Sequence, residues 1–184
     1  TPKAIAIDLD ETTLNSNARL SVRTRAALHD VHGVEIPMVI ATSRPERVLG
    51  ALVGEDILEI TSLVQMNGAI AAGRAGLTGS IRYLMDMGDA QRCWDVANEL
   101  APWARMTMEV DGIRFAVNHD DGINELWAFD MTAPTVIVTL EDALSLGPAK
   151  VSINGIGCDL ESLAEVLEKE LSDQTVILRA ANEQ

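Results

Sequence analysis

Apolar and polar positions divide this chain into two rhythms. Over roughly the first seventy residues, short unbroken apolar runs (Ala4–Ile7, Ile36–Ala41 and Leu63–Met66) alternate with more polar stretches. Runs of this kind read as strands buried in the middle of a parallel sheet. Ser21 is placed to cap a helix that stops at Gly33, and Pro45 suits the first turn of another. Strand, helix, strand, helix, strand predicts a doubly wound, Rossmann-like parallel α/β sheet.

The rhythm changes after the glycine-rich stretch Gly73–Gly79. Ile81–Met87, Trp103–Val110 and Ile113–Val117 alternate as half-buried strands, the last two joined by an Asp111-Gly112 hairpin turn. Asp89 is placed to cap a helix ending near Leu100. Pro134–Leu140 reads as extended, Glu141–Leu146 as helix, Lys150–Asn154 as strand and Gln174–Ala180 as strand. Between the last two, Asp159 caps a helix with Leu160, Leu163, Ala164, Leu167 and Leu171 on one stripe. The expected organisation is an α/β unit over 1–72 and a separate α+β domain over 73–184.

Alternation also sorts the second half into faces. Tyr83 and Met85, then Met106 and Met108, then Phe115 and Val117, then Val151 and Ile153 point to an apolar face covered by helices. Arg82, Arg105, Arg114, Lys150 and Arg179, five of the eight basic residues after position 73, fall on the opposite face. That face is expected to be open, either as a solvated surface paired with Asp86 and Glu109 or as a cationic surface for an acidic substrate.

Totals narrow the partners. The 184 residues are 47% hydrophobic and only 3% aromatic, with a net charge of −14. That describes a folded chain unsuited to nucleic acid or an anionic membrane surface. No apolar run approaches the roughly 20 residues that span a bilayer. The chain runs from Thr1 straight into its first strand, so no signal peptide and a cytoplasmic location are expected. Cys93 and Cys158 lack metal or disulfide spacing and read as reduced packing thiols. His29 and His32 read as residues of a surface helix, not as a metal pair.

Chemistry concentrates where the first apolar run ends in Asp8-Leu9-Asp10-Glu11-Thr12. Two carboxylates one residue apart at a strand tip point the same way and repel unless a cation or a shared proton intervenes. One could then attack as a nucleophile while the other carries a proton. A calcium loop starting at Asp8 would need Gly and Glu where Thr13 and Arg19 stand. A glycine-rich phosphate loop is absent as well. An acidic turn after an edge strand remains the competing reading. Thr42-Ser43-Arg44 sits where the second strand meets a helix, a place suited to an anion.

These residues resemble the haloacid dehalogenase superfamily. Asp8-Leu9-Asp10-Glu11-Thr12 is similar to its motif I, with Glu11 where Gly is more usual. Ala41-Thr42-Ser43-Arg44-Pro45 is similar to motif II of the Cof-type branch, and Asn67-Gly68-Ala69 to the segment closing the first half of its core. The resemblance implies a phosphomonoester hydrolase acting on a small phosphorylated metabolite through an aspartyl phosphate. It makes Asp8 the nucleophile and Asp10 the general acid/base. It has Mg²⁺ bound at Asp8 and Asp10, and phosphate held by Thr42, Ser43 and the amides of Leu9 and Glu11. Arg44 and Asn67 would position substrate, and the second domain would be a type IIB cap whose open face brings Arg105 and Arg114 toward it.

The resemblance also calls for a motif III Lys and a motif IV acidic pair after the cap. Gly88-Asp89, and Lys150 with Gly157-Cys158-Asp159, are the internal stand-ins. Half a core plus a cap is the stronger expectation. Such a chain would join a separate C-terminal core segment or self-associate. A non-catalytic anion-binding module is the alternative.

Overall fold

The computed structural model describes residues 2–119, 136–155 and 159–179. The fold is α/β. Five strands form one sheet in sequence order: β1 (Ile5–Asp8), β2 (Met38–Ala41), β3 (Ser62–Gln65), β4 (Ile70–Ala72) and β5 (Ser80–Arg82). The first three are parallel, with Asp8 beside Ala41 and Ala41 beside Val64, so the three strand tips end together. β4 and β5 fold back antiparallel as a hairpin at the far edge. Helix α1 (Val22–Gly33) begins where Ser21 accepts the Thr24 amide. It packs against α3 (Glu55–Glu59), which follows α2 (Leu49–Val53). Leu9, Ile40, Leu49, Val53, Ile57 and Leu63 form the buried core between sheet and helices. Each such side chain contributes about 1.5–3 kcal/mol by leaving water.

The first run is less enclosed than its composition suggests. β1 is an edge strand, paired with β2 alone among the described residues, and Ala4 and Ala6 are exposed. Composition reports what a strand tolerates, not which neighbours it has.

Three antiparallel strands form the second sheet: β6 (Arg105–Glu109) in the centre, flanked by β7 (Phe115–Val117) and β8 (Lys150–Asn154). α4 (Met87–Leu100), α5 (Leu140–Leu146) and α6 (Leu160–Glu170) contribute the helical side of its core, around Met106, Met108 and Val110. The methionine stripe is core, as expected, and Cys93 is buried beside it. Among the described residues no helix is long and apolar enough to cross a membrane.

Several expectations need correction. The segment at Ile81 pairs with β4 in the first sheet, so Arg82 is not on the second sheet's face. Asp86, not Asp89, caps α4, accepting the amides of Gly88 and Asp89. Residues 174–179 form no strand, and Arg179 turns onto Glu168 and Glu161 of α6. Residues 120–135, Gly157, Cys158 and Ala180 lie outside the described residues, and with them part of the extended and terminal segments.

The hairpin differs by one residue. A two-residue Asp111-Gly112 turn would pair Val110 with Ile113, but the Val110 amide bonds the Arg114 carbonyl and Glu109 pairs with Phe115. A one-residue slip moves every side chain to the other face. Phe115 therefore shares a face with Glu109, not with the methionines.

That polar face is not open. Thr107 and Glu109 are buried, and the first sheet's unit covers the Glu109 end. Arg47, in the short 3-10 turn Glu46–Val48, grips both Glu109 oxygens and lies over Phe115, 4.0 Å from the ring centroid. Its amide bonds the Gly112 carbonyl, and its buried Nε has no hydrogen-bond partner. Gly112 has φ +87, and a Cβ there would meet Gln65 at 2.2 Å. Only glycine fits this approach of the hairpin tip to the first unit.

Candidate active site

β1, β2 and β3 end on one side of the sheet, and the segments leaving them enclose an open cleft of about 370 Å³. Asp8, Asp10, Ala41, Thr42, Ser43, Val64, Asn67 and Gly68 line it. The loop after β1 is tied down locally. Thr12 donates its hydroxyl to Asp8 Oδ2 at 2.8 Å, and the Thr13 hydroxyl caps the Asp8 carbonyl at 2.5 Å. The Leu9 carbonyl takes the amides of Thr13 and Leu14, while the Leu9 side chain is buried in the core. This turn requires Glu11 at φ 56, the left-handed region that glycine adopts most easily.

The second loop is laced to the third. The Thr42 amide bonds the Val64 carbonyl, Asn67 donates its amide to the Thr42 carbonyl, and Met66 does so to Arg44. The chain achieves this by turning through positive φ at both Met66 and Asn67. Thr42 is buried, with its hydroxyl oxygen accepting the Arg44 amide at 3.2 Å. Arg44 reaches across the cleft to Asp10, its Nη2 at 2.7 Å from Oδ1 and its Nε at 3.0 Å from both oxygens.

The predicted site thus divides. Asp8, Asp10, Thr42, Ser43, Arg44 and Asn67 converge, with the Leu9 backbone between the two acids. Arg105 and Arg114 do not join them. Arg105 stands at the far end of β6 from Glu109, four residues or roughly 13 Å along the strand. Arg114 sits beyond β7 in the hairpin loop, ion-paired to Asp111, whose carboxyl its hydrogen bonds help hold below the usual range against the opposing effect of burial.

Sequence reasoning missed two residues. Arg47 was hidden because its partner lies 62 positions away. Lys150 reads in the sequence as one of five cations on the open face and, by order along the chain, as a stand-in for the motif III lysine, neither of which locates its contact. It pairs with Glu109 across β6 and β8, and its Nζ donates to the Ser43 carbonyl at 3.1 Å.

The oxygen donors suit a hard divalent cation in kind. Asp8 offers a carboxylate and Asp10 a main-chain carbonyl, and magnesium usually completes such a set with water and substrate phosphate. Among the described residues no group of three acidic, His or Cys side chains gathers. His29 of α1 instead hydrogen-bonds Asp56 of α3 at 2.9 Å.

Comparison with known proteins agrees with the motifs. Residues 5–90 match the family described as haloacid dehalogenase-like hydrolases. No curated protein sequence matches the chain. Among solved structures, a sugar phosphatase of haloacid dehalogenase subclass IIB shares the fold at TM-score 0.68 and 16% identity. That match covers 92% of this chain and 64% of the other. A haloacid dehalogenase-like hydrolase from Bacteroides thetaiotaomicron matches at TM-score 0.69 and 20% identity, covering 92% and 63%. A Thermotoga maritima protein matches at 0.70 and 17%, covering 92% and 62%. The chain spans less than two-thirds of the length of each of these structures. The motif loops, the family match over residues 5–90 and the shared fold agree, and this part of the chain is similar to the haloacid dehalogenase-like hydrolases.

Proposed function

We propose that this chain carries the nucleophile side of a phosphomonoester hydrolase acting on a small phosphorylated metabolite through an aspartyl phosphate. The observation that carries this reading is the convergence of Asp8 and Asp10 with Thr42, Ser43 and Asn67 in one cleft. Asp8 attacks phosphorus in line, the bond to the leaving oxygen breaks, and Asp10 gives that oxygen its proton. Water, losing a proton to Asp10, then attacks phosphorus and releases Asp8. Thr42, Ser43 and the amides of Leu9 and Glu11 hold the remaining phosphate oxygens. A divalent cation, magnesium by expectation, would be held by the Asp8 carboxylate and the Asp10 carbonyl and would offset the charge shared by nucleophile and phosphate.

Arg44 holds both carboxylate oxygens of Asp10 in the ligand-free cleft. In this reading Arg44 turns onto the phosphate when substrate enters, releasing Asp10. The same ion pair favours a second reading, an anion-binding module in which the acid stays neutralised by Arg44 and no turnover occurs. A screen of phosphate esters with Mg²⁺ separates the two. The expected outcome is turnover that Asp8→Asn abolishes with the fold intact, since a carboxamide is nearly isosteric but a poor nucleophile. Activity persisting in folded Asp8→Asn would overturn the assignment.

The open edge of β1 leads to a proposal about partners. An apolar parallel edge strand invites another strand, supplied by a further core segment or by a second copy of the chain. Sedimentation of the pure chain with mass spectrometry is expected to find one or the other, and a stable peptide-free monomer would refute it.

A further inference from the structure

The second sheet sets one lysine against the loop that lines the cleft, in an unusual electrostatic position. Lys150 begins β8 directly across from Glu109. That carboxylate is already held at both oxygens by Arg47, in a pair almost wholly withdrawn from water. No carboxylate among the described residues lies within ion-pair reach of the Lys150 ammonium, whose hydrogen bond goes instead to the Ser43 carbonyl at 3.1 Å. Ser43 lines the cleft with Asp8 and Thr42. Burial lowers the Lys150 pKa, with Glu109 acting in the opposite sense as the weaker influence. A partly desolvated ammonium paired only with a neutral carbonyl lacks the anion that would offset its desolvation.

We propose that Lys150 is the cation the second sheet contributes to the cleft, exchanging the Ser43 carbonyl for an anionic oxygen of the bound phosphate. This rests on the phosphate-site reading above. Arg47 makes it possible by occupying Glu109, which would otherwise be the lysine's nearest counter-ion. The hairpin tip, seated on Gln65 through Gly112, fixes the distance between Lys150 and the loop after β2. The site therefore takes its hydroxyl and amide donors from one unit and a positive charge from the other.

The chain has only three lysines, Lys3, Lys150 and Lys169, and the other two are exposed. That makes competitive acetylation with mass spectrometry a direct test on the whole chain. Saturating inorganic phosphate is expected to slow acetylation of Lys150 at least fivefold while leaving Lys3 and Lys169 unchanged. Calorimetry with inorganic phosphate is expected to show about tenfold or greater weakening in Lys150→Met, near recovery in Lys150→Arg, and loss in Thr42→Val. Equal labelling of Lys150 with and without phosphate overturns the proposal, even if Lys150→Met does not fold. Binding lost in Thr42→Val but kept in Lys150→Met overturns this proposal and spares the phosphate site. A wild-type chain that binds no phosphate overturns both.

Discussion

Arg44 and Arg47 lie three residues apart, and each holds a carboxylate with two nitrogens. Arg44 and Asp10 retain 30% and 41% side-chain exposure, whereas Arg47 and Glu109 retain 6% and 5%. The first pair faces an open cleft and stays solvated, so a ligand can compete for either member at small cost. The second is sealed between two sheets with Arg47 over the Phe115 ring, where losing one partner strands the other without water. One short segment thus serves two regions, a cleft whose contacts are replaceable and a junction whose contacts are not.

The largest expected effect breaks the junction. Arg47→Met should destabilise the chain by about 3–5 kcal/mol, because Glu109 is left buried and unpaired. Pairing it with Glu109→Met should recover most of that loss, since two apolar groups leave no orphaned charge. Arg44→Ala should cost no more than about 1 kcal/mol. Urea unfolding of wild type and the three variants measures all of this. Equal losses at Arg44 and Arg47 would remove the distinction.

What the sequence disclosed follows the same division. The cleft was legible because its chemistry sits at strand tips, where short spacings fix direction. Asp8 and Asp10 are two apart, Thr42 follows β2 directly, and Asn67 follows β3 after one residue. The junction was not legible, because Arg47, Glu109 and Lys150 meet only through tertiary packing across 62 and 107 positions from the first unit. The polar parity of Glu109 and Lys150 could be read from alternation, but what covered that face could not. Phe115 was misplaced by one turn residue, and Arg114 with it. Ile81 alternates as well as any strand, and pattern alone cannot say which sheet it joins.

A smaller effect sharpens the contrast from the cleft side. Glu11 holds φ 56 in the loop between Asp8 and Thr12, and a side chain there costs roughly 1 kcal/mol. Strain of this kind persists where surrounding bonds enforce it, here those of Thr12 and Thr13 to Asp8. Glu11→Gly relieves it and loses part of the gain to chain entropy, so about 0.5–1 kcal/mol of stabilisation is expected. Thermal unfolding should show a rise of about 2–3 °C. A fall would mean that the Glu11 side chain contributes contacts outweighing the strain.

The smallest effect uses a third ion pair to ask whether exposure is the divider. Asp56 on α3 accepts from Arg25 and from His29 of α1, and all three side chains are well exposed. Chiefly the Arg25 hydrogen bond, and then that of His29, lowers the Asp56 carboxyl to about 2. A carboxyl depressed on folding adds stability that is fully present above its unfolded value of about 3.9 and is lost as pH falls through the folded value. The difference in Tm between wild type and Asp56→Asn should therefore be small and constant above about pH 4, then vanish as pH drops through 2. Added salt should shrink it at pH 7, since both charges remain in contact with solvent. If Asp56→Asn instead cost as much as Arg47→Met, and resisted salt, then geometry would rank these pairs and burial would not.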